Sequence, residues 1–257
     1  VTDAARIREA IATEGFVVVE DALDTAYVRD AKVALERAIE AETRRHGGSG
    51  HPDHGMVLVC PMYGRIFADV FDNARVTGPF EAVLGEGCIV YAYTSSSMPP
   101  RAANYSARIH TDCPRIIPGY VTNMGVTLLL DDFTEENGAT WFLPRSQTRA
   151  DAPTDEEFRA SARRLVARAG SAFFFNARLW HAGGENRTGT WRHALTINMC
   201  RPWMKQRIDL PRALAGCDLA GASEKALQKL GFRSRVPASL DEFHAPPERR
   251  TFTQKTE

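Results

Sequence analysis

The chain has 257 residues, 44% of them hydrophobic, with 32 basic side chains balanced by 32 acidic ones. That length can bury a full core without staples, and a formal charge of zero leaves no global field to draw nucleic acid or an anionic membrane. Five cysteines (Cys60, Cys88, Cys113, Cys200, Cys217) at irregular spacings, with no C-x-x-C pair, point away from a disulfide framework or a zinc ribbon and fit a reducing cytoplasm.

The chain opens with charges where a signal peptide would be apolar, and no apolar run approaches membrane-spanning length; Val1 in place of Met leaves room for a removed leader. Thr2 reads as the cap of a short amphipathic helix carrying Ile7, Ala10 and Ile11 and closed by Gly15, with a strand over 16–20 behind it. From Asp24 to about Arg45, Tyr27, Val28, Ala31, Ala34, Leu35, Ala38 and Ile39 recur at helical spacing. Residues 46–55 hold three histidines among glycines and read as a loop, because no strand fixes those side chains relative to one another. Residues 61–84 read as mostly helical.

From Cys88 the pattern changes to short β-runs at 89–94, 107–112, 121–130, 140–143, 171–175 and 191–200, with a helical insertion over 155–168. Pro99-Pro100, Pro118-Gly119, Asn137-Gly138 and Gly183-Gly184 punctuate them. A further helix is expected around 223–230 and a loose tail after Pro246. The expected architecture is mainly β with flanking helices, a sandwich or jelly roll. It is read as one domain over 1–257: a mainly helical support (1–86), a jelly-roll core (87–205) and a C-terminal extension (206–257).

The chemistry-bearing stretch is Ser106–Cys113. On a strand, His110 and Asp112 project to one face, and the run Leu179-Trp-His-Ala-Gly-Gly184 offers a third ligand, His181. Two histidines and one carboxylate with open positions beside them suit non-haem Fe(II) oxygen chemistry. If a turn is centred on Asn186-Arg187, His181 pairs with Arg192 across a hairpin and both face one side. The following strand then reads Arg192, Ala194, Thr196, Asn198 on the pocket face and Leu195, Ile197, Met199 on the packed face. An arginine there can grip the far carboxylate of a dicarboxylate; the plainer alternative is a surface ion pair. Arg115, just past the motif, is a candidate for an anionic substrate group or, equally, a surface ion-pair residue.

The order of His110-Thr-Asp112, the acidic run 130–138 leading into Phe142-Leu-Pro-Arg-Ser146, His181, and Arg192 eleven residues later resembles the phytanoyl-CoA dioxygenase-like group of Fe(II)/2-oxoglutarate oxygenases over roughly residues 5–205. The resemblance implies a double-stranded β-helix of cupin-like form. It implies Fe(II) held by His110, Asp112 and His181, 2-oxoglutarate anchored by Arg192 with Asn104 and Thr127 as further contacts, and O₂ as oxidant. A small organic metabolite is the implied substrate, with hydroxylation as the outcome. Two departures stand out: Gln147 follows Ser146 where the group has His, and Gly183 stands where a hydroxyl residue is common. The competing readings are a non-catalytic metal-binding jelly roll and a zinc-type hydrolase using the same triad.

Overall fold

The computed structural model of the chain describes residues 3–250, so Thr2 and the end of the tail lie outside the described residues. Helix α1 (Ala4–Thr13) is capped by Asp3, whose carboxylate accepts from the Ala5 amide. Strand β1 (Phe16–Val19) follows, then α2 (Thr25–Arg45), whose first turn is closed by Asp24 accepting from Tyr27 N at 2.7 Å. Ala31, Leu35, Ala38 and Ile39 are its buried stripe. Residues 46–55 are turns. The 61–84 region is a chain of short helices that includes α3 (Ile66–Asp69) and α4 (Ala74–Leu84). Among the described residues no helix is long and apolar enough to cross a membrane.

The remaining strands are β2 (Ile89–Ser95), β3 (Asn123–Leu129), β4 (Trp141–Phe142), β5 (Arg163–Arg164), β6 (Ala172–Asn176), β7 (His181–Ala182) and β8 (Ala194–Cys200). Four of them join β1 in an antiparallel sheet of order β1-β6-β3-β8-β2, and three make a small facing sheet, β5-β4-β7. This is the jelly-roll architecture expected from the punctuation of the sequence. The mainly helical N-terminal stretch also supplies an edge strand of the large sheet.

Side-chain alternation divides the work of the large sheet. Met124, Val126, Leu128, Phe174, Leu195, Ile197 and Met199 are buried against the helices, in one core with Ile7, Ile11, Leu35 and Phe80. The opposite face sends Leu129, Phe173, Phe175 and Ala194 into a second core with Phe133, Phe142 and Leu179. The expected division of β8 into a packed odd face and an inner even face is therefore present.

Three local expectations are corrected. The run 107–112 is not a ladder strand: Asn104 caps a tight turn over Tyr105–Ala107 and Pro114 follows closely, so pairing shrinks to one bridge, His110 with His181. The insertion over 155–168 is helical only as α5 (Asp155–Ser161), and Ala162 turns extended so that Arg163 and Arg164 pair with β4. The hairpin registering His181 with Arg192 does not form. His181 lies opposite Phe142 and Arg192 opposite Met98. Asn186, expected at the centre of a turn, is fully buried and its amide donates to the carbonyls of Met98, Pro99 and Thr190. A buried amide that satisfies three carbonyls holds this connection between the sheets.

His193 shows what the odd side of β8's approach costs. Its imidazole is 3% exposed, with Nδ1 3.0 Å from Ser97 Oγ and Nε2 3.7 Å from Glu36 Oε1, and its backbone N–H donates to Asp131. Burial drives its pKa from 6.5 down to about 4, against the pull of Asp131 and together with the charges of Lys32 and Arg192. The unfolded chain thus takes up this proton first. Stability present above about pH 6.5 should fall as pH drops towards 4. Thermal melts of His193→Phe across that window should show a shallower decline than the parent; an identical decline would remove His193 as the cause.

Candidate metal centre

The ligand-type side chains sit where the two sheets open, carried by segments sewn to each other. His110 and His181 exchange both backbone hydrogen bonds at 2.9 Å, and Cys113 N donates to Ala177 O at 3.0 Å. The buried guanidinium of Arg178 adds bonds to the carbonyls of Cys113, Pro114 and Arg149. His110, Asp112 and His181 cannot drift apart without breaking several of these.

Their donor atoms converge: one atom from each lies within 4.8 Å of the other two, the only such group of three among the described residues. Asp112 Oδ1 is 3.6 Å from His110 Nε2 and 3.8 Å from His181 Nε2, beyond hydrogen-bond reach. Each Nδ1 donates to a carbonyl two residues back, Arg108 O at 2.8 Å and Leu179 O at 2.9 Å. That fixes the proton on Nδ1 and leaves Nε2 a lone pair. Burial, then the neighbouring His181, lowers the His110 pKa and favours its neutral form. One nitrogen of each imidazole and one oxygen of Asp112 therefore converge as donors that a single cation could share.

The inner face of the large sheet gives the cleft around them two unlike parts. Across the large sheet Thr94, Thr196, Thr127 and Phe173 stand directly opposite one another on β2, β8, β3 and β6, and all four line the cleft together with Asn104, Ser106 and Thr140. None of the four threonine hydroxyls is hydrogen-bonded within the described residues, so a polar ligand would meet free donors. The β6 end of the same face is aromatic, with Phe173 and Phe175 side by side. Phe175 lies 5.2 Å from the His181 ring and covers Gly125, where a Cβ would come within 2.3 Å of the Phe175 ring. Glycine at 125 is what lets that ring reach the metal side of the sheet.

Of the residues singled out from sequence, the three ligands are brought together, and Asn104 and Thr127 line the cleft. The Asn104 amide is already engaged, accepting from Ser106 N and Oγ and donating to Ser97 O. Arg115 is exposed and forms no ion pair among the described residues. Arg192 does not line the cleft. It is 1% exposed, with Nη1 on Ser96 O at 2.6 Å, Nη2 on Gly138 O at 3.0 Å, its face on Phe133 and Nε without a partner. Ser96 does line the cleft, so the guanidinium lies one residue behind the wall.

The sequence profile described as phytanoyl-CoA dioxygenase (PhyH) matches residues 11–194. This chain belongs to that family. Over 255 residues it is 29% identical to the uncharacterized protein Rv1501 of Mycobacterium tuberculosis, covering 96% of this chain and 93% of that one. The fold is also that of the non-heme monooxygenase ThoJ (TM-score 0.65, 20% identity, 79% of this chain and 80% of that one). It is likewise that of EctD from S. alaskensis, solved with 2-oxoglutarate and 5-hydroxyectoine (TM-score 0.62, 18% identity, 76% and 75%). Membership of the phytanoyl-CoA dioxygenase family makes the chain an oxygenase, an oxidoreductase.

The two departures from the phytanoyl-CoA dioxygenase pattern have physical reasons here. A Cβ on Gly183 would lie 2.3 Å from Ser106 Oγ, so that serine occupies the space of the missing side chain. Gln147 is buried and donates to Ala12 O and Thr13 O, tying the β4 side to the end of α1. Thr196 and Asn198 lie on the face expected to line the pocket, though no contact with Asp112 is expected there; Thr94, the remaining member of the row on β2, is not singled out by the sequence, and the period of two along β2 is its signal.

Proposed function

We propose that the chain is an Fe(II)- and 2-oxoglutarate-dependent dioxygenase that hydroxylates a small organic molecule. The observation that carries this reading is the convergence of His110 Nε2, His181 Nε2 and Asp112 Oδ1 at the mouth of the two sheets, with each Nδ1 turned to a carbonyl. Two neutral imidazoles and one carboxylate are the donor set that suits non-haem iron and leaves sites open. Bound there, Fe(II) with 2-oxoglutarate and O₂ would supply the oxidising power, the 2-oxo acid leaving as succinate and CO₂.

The chain's own residues supply position and surroundings. The carbonyls of Arg108 and Leu179 hold both imidazoles in the metal-binding tautomer. Arg192 supplies positive charge for the distal carboxylate of the 2-oxo acid. Its guanidinium is buried without a carboxylate within ion-pair distance among the described residues, and burial pulls its pKa down to about 10. A buried cation just behind the Ser96 wall of the cleft is stabilised by an anion held in that cleft. Thr127 and Asn104 face the same cleft and offer polar contacts, while Phe173 and Phe175 keep water from one side. Arg115, close after Asp112, is proposed for an anionic group of the substrate.

The direct test is succinate release in a substrate screen, run with and without O₂ and 2-oxoglutarate. Product should form only with both. Turnover in the absence of both would replace this reading with metal-assisted hydrolysis.

A further inference from the structure

The geometry points to Asn198 as a positioning residue that splits the two oxygens of Asp112, one for a metal and one for the protein. This rests on the triad being a metal site, as proposed above. Asn198 lies on the inner face of β8 and is 6% exposed. Its Nδ2 donates to Asp112 Oδ2 at 3.3 Å, the one hydrogen bond to that carboxylate among the described residues. The other oxygen, Oδ1, is the one that faces both imidazoles.

The direction of this contact is set by chemistry. A carboxylate only accepts, so the amide must present its NH₂ to Asp112 and its oxygen the other way. Asn123 on β3 meets that oxygen, donating from Nδ2 at 3.3 Å. Asn123 is two residues from Gly125, the register partner of Asn198, so it shares the inner face and reaches diagonally. Asn123 is itself 3% exposed, and its own Oδ1 has no partner. The relay Asn123→Asn198→Asp112 thus spends two buried amides on orienting one carboxylate, an arrangement that packing alone does not call for. With Oδ2 held by the amide, Asp112 offers a single oxygen, and a position that a second carboxylate oxygen would fill stays open.

The test is titration of the metal-free protein with Co(II), followed by its visible ligand-field absorption, for the parent, Asn198→Leu and Asn123→Ala. Asn198→Leu is expected to weaken Co(II) binding about tenfold or more and to change the shape of the spectrum, the scale seen when a partner of a metal ligand is lost. Asn123→Ala leaves Asp112 and Asn198 in place and should show a smaller loss of the same kind, which covers the case in which Asn198→Leu does not fold. Thermal melts of the metal-free proteins run alongside. Parental Co(II) affinity and spectrum in a folded Asn198→Leu or Asn123→Ala, with only a lower melting temperature, would make the relay structural and overturn the inference. Failure of the parent to bind Co(II) is a separate result: it would remove the triad as a metal site and the role of Asn198 with it.

Discussion

Replacing His110, Asp112 or His181 by Ala is expected to abolish 2-oxoglutarate-dependent turnover and to weaken metal binding by more than about a hundredfold, the upper end of what loss of a mere supporting partner costs. The same substitutions should leave the metal-free protein folded, with Asp112→Ala also leaving the Asn198 amide without its acceptor. None of the three side chains is fully buried, so their removal opens little cavity. Added metal should raise the melting temperature of the parent by mass action and leave the variants unmoved. Paired melts with and without Fe(II) or Co(II) read both effects. A His181→Ala protein with full turnover would remove that residue from the centre.

Arg192→Ala is expected to raise the 2-oxoglutarate KM at least about tenfold, equivalent to roughly 1.4 kcal/mol, while metal affinity changes little. It should also destabilise the fold. The carbonyls of Ser96 and Gly138 lose their donors, each at about 1–3 kcal/mol when left unpaired, and the Phe133 face loses its cover. Arg192→Lys retains the charge and loses the fork, so it should fall between parent and Ala in both KM and stability. Unchanged KM with lost metal would sink the cosubstrate role. Unchanged KM with lowered stability alone would make Arg192 a wall support.

The parts of this molecule that could be read from sequence are those set by local periodicity. The stripe of α2, the odd and even faces of β8, and the shared side of His110 and Asp112 all follow from repeats of 3.6 or 2 residues. The jelly roll followed from short runs cut by Pro and Gly. What escaped was decided by distant partners. Arg163 and Arg164 look like the end of a charged helix until Trp141 and Phe142 stand beside them. The turn at Asn186 looked like a hairpin because Asn commonly occupies turns; its burial depends on three carbonyls, two of them nearly ninety residues earlier. Arg192 precedes β8 and bridges to Met98, not to His181, because that pairing is a long-range choice that index arithmetic within one loop cannot supply. The Thr94–Thr196–Thr127 row needs three strands in register before it exists at all.

The most direct test of the central claim is a binding measurement without O₂. Fe(II) is added anaerobically to the metal-free protein and 2-oxoglutarate is titrated in while the visible spectrum is followed. A metal-to-ligand charge-transfer band should grow and saturate with 2-oxoglutarate, stay absent when Fe(II) is omitted, and fail to form in Asp112→Ala. Fe(II) binding to the parent with no such band at saturating 2-oxoglutarate would contradict the account.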